Sequence, residues 1–171
     1  MKGLSITEAD NLFPVEGVDA WIKRLRRVLP LYGNAFSVEA RASRRTALAR
    51  FLGSSLCCNE SGCVVYITQC GIFPASEHLD LFDTYRLGAG ETRAVNDAPL
   101  QSFSPEEGAA LISILCLILY FSWDAEIASL DERWLVTISH DNWMEIRTAD
   151  TPLIETRDAE QSGILVPLGS A

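Results

Sequence analysis

Hydrophobic side chains near the start of the chain recur every three or four residues, as they do on one face of a helix. These apolar positions are Val18, Trp21, Ile22, Leu25, Val28 and Leu29. Pro30 ends the pattern, because proline lacks the amide hydrogen that a helix interior needs. The pattern therefore predicts a helix from about Gly17 to Leu29 whose apolar face lies against the core.

A second helical pattern covers residues 38–56. Its predicted inward positions are Ala42, Leu48, Phe51 and Leu52, and its predicted outward positions are Arg41, Arg44, Arg45 and Arg50. The outward positions of the first helix are also basic: Lys23, Arg24, Arg26 and Arg27. Residues 17–56 are therefore predicted to form two amphipathic helices whose basic outer faces are neutralised by salt bridges.

The pattern changes at Cys63–Cys70, a compact run rich in β-branched residues that predicts a strand in the interior of a sheet. A short helix is predicted from Ser76 to about Leu87, with Gly88 as its stop. Its inward positions are Leu79, Phe82 and Tyr85. Residues 89–103 are predicted to form a loop.

The clearest helix start is Ser104-Pro105-Glu106-Glu107, which combines a capping serine, a proline at the first position and a glutamate that reaches back to the cap. The run 109–121 that follows is apolar on every side, so the helix 105–122 is predicted to be long and enclosed. The apolar stretch 109–123 has 15 residues, whereas a bilayer span needs about 20. It is therefore predicted to be a core helix and not a membrane span.

Three strands, at 124–130, 134–140 and 143–148, are predicted to form an antiparallel meander after this helix. If Glu126 lies opposite Thr137, alternation gives the two faces of the meander different characters. One face then holds Ala125, Ile127, Trp134, Val136 and Ile138, and the other holds Asp124, Glu126, Thr137 and Ser139. A further strand is possible at 164–166.

These elements predict one α+β domain over residues 1–171. Its antiparallel or mixed sheet would pack against the long apolar helix, with the basic helices of 17–56 outside and a core formed by 104–148. The chain is long enough for one hydrophobic core without disulfides, since a domain of this size buries roughly 70% of its unfolded surface.

Charge is distributed unevenly along the chain. The net charge is −9, yet residues 1–50 carry nine basic against five acidic side chains, so the remainder is strongly acidic. A negative field repels phosphate backbones and anionic lipids and attracts basic partners. The charge therefore argues against nucleic acid and membranes and favours a basic protein partner. The five cysteines follow no apolar signal segment, which predicts reduced thiols in a cytoplasmic protein.

No cofactor or metal is predicted. Cys57, Cys58, Cys63 and Cys70 lack the spacing of a zinc site. Ser139, His140 and Asp141 are consecutive, so a strand points them to opposite faces and they cannot converge as a catalytic triad. Asp124 and Glu126 share a face, as paired carboxylates of a hydrolase would, and a cysteine thiol offers a second route to catalysis. A small hydrolase or transferase that uses these groups remains an alternative.

Two segments, Leu119–Ile127 with the sequence LYFSWDAEI and Trp134–Trp143 with the sequence WLVTISHDNW, resemble small bacterial immunity proteins. Such proteins neutralise a cognate toxin of a polymorphic or secretion-delivered system, and often join an apolar helix to a hairpin that ends in a Ser-His-Asp-like turn. The resemblance covers about 30 residues, at 119–148. It implies a non-enzymatic protein that docks an acidic surface onto a basic toxin domain.

The acidic and aromatic residues of the meander are the predicted contacts for that partner. They are Asp124, Glu126, His140, Asp141, Trp143 and Glu145. A tryptophan beside carboxylates has the character of an interface anchor. An acidic secretion chaperone is a further alternative; it would also be small and would form a homodimer.

Overall fold

The structure is a computed structural model that describes residues 1–5, 8, 17–32, 35–57, 61–70, 76–149 and 163–168. These residues form one sheet with helices on both of its faces. The strands are β1 (Lys2–Leu4), β2 (Phe36–Ser37), β3 (Cys63–Gln69), β4 (Leu100–Phe103), β5 (Asp124–Ser129), β6 (Trp134–Ser139), β7 (Trp143–Thr148) and β8 (Val166–Pro167). The helices are α1 (Gly17–Val28), α2 (Ala42–Cys57), α3 (Ser76–Gly88) and α4 (Gly108–Phe121).

The strand order is β1-β4-β3-β5-β6-β7-β2-β8, and every pairing is antiparallel. The predicted α+β class is confirmed, and so is the interior position of β3, which pairs with β4 on one side and β5 on the other. Each strand of the meander also lies where its pattern placed it. The sequence-local hairpins β5-β6-β7 therefore form the middle of the sheet.

The two faces of the sheet differ as the alternation predicted. Helices α2, α3 and α4 cover the face that carries Val65, Ile127 and Val136, all of which are fully buried. Helix α1 covers part of the opposite face through Val64, Ala128 and Leu135. We call this second face the α1 face. Glu126 pairs with Thr137, which is the condition under which the two faces were assigned; the sequence alone had left this register open.

The apolar helix is shorter than its pattern predicted. Residues Pro105–Glu107 form a single 3-10 turn in which a carboxylate oxygen of Glu107 accepts the Ser104 amide at 2.9 Å, so the predicted capping box is present. Helix α4 then runs for 14 residues and ends where Ser122 adopts a left-handed conformation with φ of 52°. The prediction of one long helix over 105–122 is therefore wrong, because both ends have local turn geometry. Among the described residues, no helix combines the length and apolar character that crossing a membrane requires.

Three short strands were not predicted from the sequence, and a fourth was predicted at a shifted position. β4 lies within the predicted loop 89–103, and β1 and β2 were not predicted at all. The strand expected at 164–166 is shifted to Val166–Pro167, where β8 forms an edge that tolerates proline. Strands of two to four residues carry too little alternation to detect, since they are specified by distant partners such as β3 for β4.

The basic helices depart from the predicted orientation at three positions. Val28 is 62% exposed, because the apolar stripe of α1 continues from Leu25 directly to Leu29. Ala42, at the first position of α2, is exposed rather than inward. Arg45 is 9% exposed and points inward, where its guanidinium finds backbone oxygens. Leu48 and Leu52 are buried, as their inward positions predicted, and Phe51 is partly buried.

Candidate functional site

The sheet brings four of the six predicted contact residues onto one surface. On the α1 face, Glu126 of β5 lies opposite Thr137 of β6, which lies opposite Glu145 of β7. Asp124 lies two positions before Glu126 in β5, and Trp143 lies two positions before Glu145 in β7, so both occupy the same face. Helix α1 covers the other end of this face. The result is a polar surface at the end of the meander that carries the β6–β7 turn.

His140 and Asp141 lie in that turn, next to the polar surface. The Asp124 carboxylate accepts the backbone amide of His140 at 2.7 Å and contacts the ring Nδ1 at 2.9 Å. The other ring nitrogen of His140 lies 3.4 Å from a carboxylate oxygen of Asp141. Asp124 therefore orients the imidazole, whose second nitrogen is directed toward the exposed Asp141.

The turn is held from the opposite direction by Arg45 of α2. Asn142 adopts a left-handed conformation with φ of 61°, and its amide donates to the Ser139 carbonyl at 3.1 Å. The Arg45 guanidinium donates to the Asn142 side chain at 2.9 Å, and the Val38 amide donates to the Asn142 carbonyl at 2.8 Å. We call residues 139–142 the acidic turn. Its conformation is therefore set by Asp124 on the α1 face of the sheet and by Arg45 of α2, which covers the other face.

Glu126 is the most enclosed acid of the surface. Only 6% of the residue is exposed, and its carboxylate accepts the Thr137 hydroxyl at 2.8 Å and pairs with Arg26 of α1. Burial raises the pKa of Glu126 and the nearby Glu145 adds to the rise, while Thr137 and Arg26 oppose it. Glu126 thus joins α1 to the sheet, and a partner would reach it only through its neighbours.

Replacing Glu126 by glutamine is expected to stabilise the protein near neutral pH. Because burial raises the folded-state pKa, the stability that this group contributes is full below its ordinary pKa of 4.5 and is lost as pH rises through the folded value. Glutamine keeps the shape and an oxygen for Thr137 but has no charge to desolvate. Thermal melts should show the variant above the wild type at pH 8, with the gap closing by pH 4.

A glutamine variant that is less stable at every pH would contradict this expectation. It would mean that the ion pair between Arg26 and Glu126 outweighs the cost of burying the carboxylate. Asp97→Asn, which removes one exposed charge elsewhere, controls for the general effect of net charge on the melts.

Basic side chains form ion pairs with other acids on this face. Arg147 of β7 lies 3.2 Å from Glu145, and its guanidinium also donates to the Leu29 carbonyl after α1. At the far end of the meander, Glu132 accepts hydrogen bonds from Trp21 at 2.9 Å and from Arg24 at 2.6 Å. Two of the four basic residues predicted for the outer face of α1, Arg24 and Arg26, therefore form salt bridges.

Exposure separates the predicted contact residues into two groups. The side chain of Asp141 is 69% exposed, whereas Asp124 and His140 are 21% and 27% exposed. Trp143 and Glu145 are partly buried. Asp141 is thus the acid that a partner would meet first, with His140 and Trp143 beside it.

The geometry gives little support to catalysis by the same residues. The carboxylates of Asp124 and Glu126 are occupied by His140 and by Arg26, respectively. Burial raises the pKa of Cys70 and of Cys116, the opposite of what an activated thiol needs. Among the described residues, no group of three acidic, histidine or cysteine side chains could hold a metal ion. Cys58 and the side chain of Cys57 lie outside the described residues.

Sequence reasoning missed the arginines that organise this surface. Arg26, Arg45 and Arg147 fix Glu126, Asn142 and Glu145, yet their patterns predicted only solvent-facing charge for the two helices. The alternation of basic residues with the apolar stripe carried no signal of which arginine would turn inward.

Comparison of the chain with protein-family models, curated proteins and solved structures finds no match.

Proposed function

We propose that this protein is a non-enzymatic binding domain that neutralises a cognate bacterial toxin by docking a basic surface of the toxin onto the acidic turn. The observation that carries the proposal is the position of Asp141. It is exposed on a turn that is held at two points: Asp124 accepts the backbone amide of His140, and Arg45 donates to the side chain of Asn142.

Rigidity of the turn favours binding. A loop that already has its bound conformation loses less conformational entropy on association, so more of the interaction energy appears as affinity. The bonds of Asp124 to His140 and of Arg45 to Asn142 provide this order before any partner arrives. Trp143, partly buried at the start of β7, offers an aromatic contact beside the charge.

The net charge of the whole protein also favours the binding of a basic partner. A net charge of −9 attracts a basic domain over long distances and raises the rate of encounter, while the exposed Asp141 supplies a local contact. Glu126 and Glu145 are already paired with arginines, so we assign them to the support of the surface rather than to its first contacts.

The test is a pull-down from the native host with tagged protein, first at low salt and then at about 0.5 M salt, where exposed charge pairs are screened. A stoichiometric basic partner that is lost at high salt is expected. With that partner purified, Asp141→Lys should weaken binding by about tenfold or more at low salt without lowering the melting temperature appreciably.

The matched control reverses a charge at the opposite end of the meander. Asp131→Lys changes the net charge by the same sign at another exposed hairpin turn and should leave affinity within about twofold. If Asp131→Lys weakens binding as much as Asp141→Lys alone does, general attraction explains the affinity and the acidic turn is not the docking site. If no protein partner is captured and the protein turns over small substrates, the binding function itself is wrong.

A further inference from the structure

A groove on the outer side of α2 lies away from the acidic turn and has no role in the proposed docking. It has a volume of about 690 Å³. Its floor is one stripe of α2 that includes Ala47, Arg50 and Phe51, and its walls are Tyr120 of α4 and Ile164. It is an open groove on the surface rather than an enclosed cavity, so a ligand would lie along it with one side in solvent.

Arg50 supplies an uncommitted cation in this groove. It is exposed, and no acid or hydrogen-bond acceptor among the described residues pairs with it. By contrast, Arg45 on the same helix is fully engaged. Burial raises the pKa of the Cys116 thiol and the charge of Arg50 opposes that rise, so the guanidinium lies near α4. A guanidinium that lines a largely apolar groove and has no partner among the described residues is complementary to a carboxylate.

Tyr120 forms an ordered apolar wall for the groove. Its hydroxyl donates to the Ala42 carbonyl at 3.1 Å and lies 3.1 Å from the Thr46 hydroxyl, which fixes the ring against α2. The residue is nevertheless 43% exposed. A large aromatic surface is thus held open to solvent, with its polar end already satisfied by the protein.

We propose that this groove binds a medium-chain carboxylate. The carboxylate pairs with Arg50, and the hydrocarbon chain lies along α2 against Ala47, Tyr120 and Ile164. From Arg50 to Ser43, at the other end of the stripe, the helix rises about 10 Å at 1.5 Å per residue, which suits a chain of roughly ten carbons.

Calorimetric titration of the full chain with decanoate, decanol and decyltrimethylammonium, each below its micellar concentration, tests the proposal. Decanoate is expected to bind at one equivalent and about tenfold more tightly than the other two. Arg50→Gln should remove this preference. Arg41→Gln, which changes an exposed arginine just before the same helix that does not line the groove, should keep it. Ala47→Leu, which fills the floor, should weaken binding of decanoate even where Arg50 is intact.

The proposal is overturned if decanoate does not bind, or if decanol binds as tightly as decanoate. It is also overturned if Arg41→Gln lowers the affinity for decanoate as much as Arg50→Gln, since the effect would then be one of net charge. These outcomes are independent of toxin neutralisation, because none of the variants alters the acidic turn.

Discussion

Replacing Arg45 by alanine is expected to lower the free energy of unfolding by about 3 kcal/mol, which for a chain of this size lowers the melting temperature by roughly 6–12 °C. Arg45 is 9% exposed and donates to the carbonyl of Leu119 at 2.5 Å and to the side chain of Asn142 at 2.9 Å. Leu119 lies in the last turn of α4, where a cation also interacts favourably with the helix dipole. Alanine would leave the buried Leu119 carbonyl without this donor and would release the Asn142 side chain.

The same substitution should also loosen the acidic turn. Hydrogen exchange of the amides of residues 139–142 is the direct readout. In Arg45→Ala, exchange at these amides should accelerate more than exchange at the amides of β5. Arg41→Ala, which truncates an exposed arginine just before the same helix, should change the unfolding free energy by less than about 0.5 kcal/mol. Equal effects of the two substitutions would show that Arg45 contributes no more than an ordinary surface charge.

A second large effect is expected for Arg86→Ala, which should also lower the free energy of unfolding by about 3 kcal/mol. Arg86 of α3 is fully buried, and its guanidinium donates to Asp83 at 2.9 Å, to the Arg93 carbonyl at 2.8 Å and to the Ala98 carbonyl at 2.9 Å. These bonds secure the connection that leads into β4. Its loss should therefore expose β4 and β1 to exchange before the meander.

The neighbouring Leu87 provides the control for this substitution. Leu87 is 60% exposed on the same helix, so Leu87→Ala should leave stability within about 0.5 kcal/mol. Chemical denaturation of both variants by urea checks the difference. A small effect for Arg86→Ala would mean that solvent replaces its three hydrogen bonds without cost, which the full burial of the residue argues against.

Local signals in the sequence predicted the middle of the fold. The capping residues Ser104 and Glu107 located the turn that leads into the apolar helix, and strict alternation predicted β5 and β6. Both depend on residues that are close in sequence. The shared face of Asp124 and Glu126 followed from the same alternation.

Contacts between distant segments account for what the sequence could not predict. β2 has two residues and depends on β7 and β8 for its pairing, so no local pattern could identify it. Arg45 and Arg86 have the same chemistry as the exposed arginines around them, and only the position of unpaired carbonyls decides which of them is buried. For the same reason, the internal pairing of Glu126 with Arg26 could not be distinguished from an open acidic edge.

The terminal strands of the sheet bear on how copies of this protein behave at high concentration. Open sheet edges are templates on which chains add to one another and aggregate. In the described residues, β1 offers three residues at one edge, among them the charged Lys2, and β8 offers two at the other, one of which is Pro167. So short a row of free amides and carbonyls gives an incoming strand little to pair with. The sheet can therefore be wide without becoming a seed for fibrils.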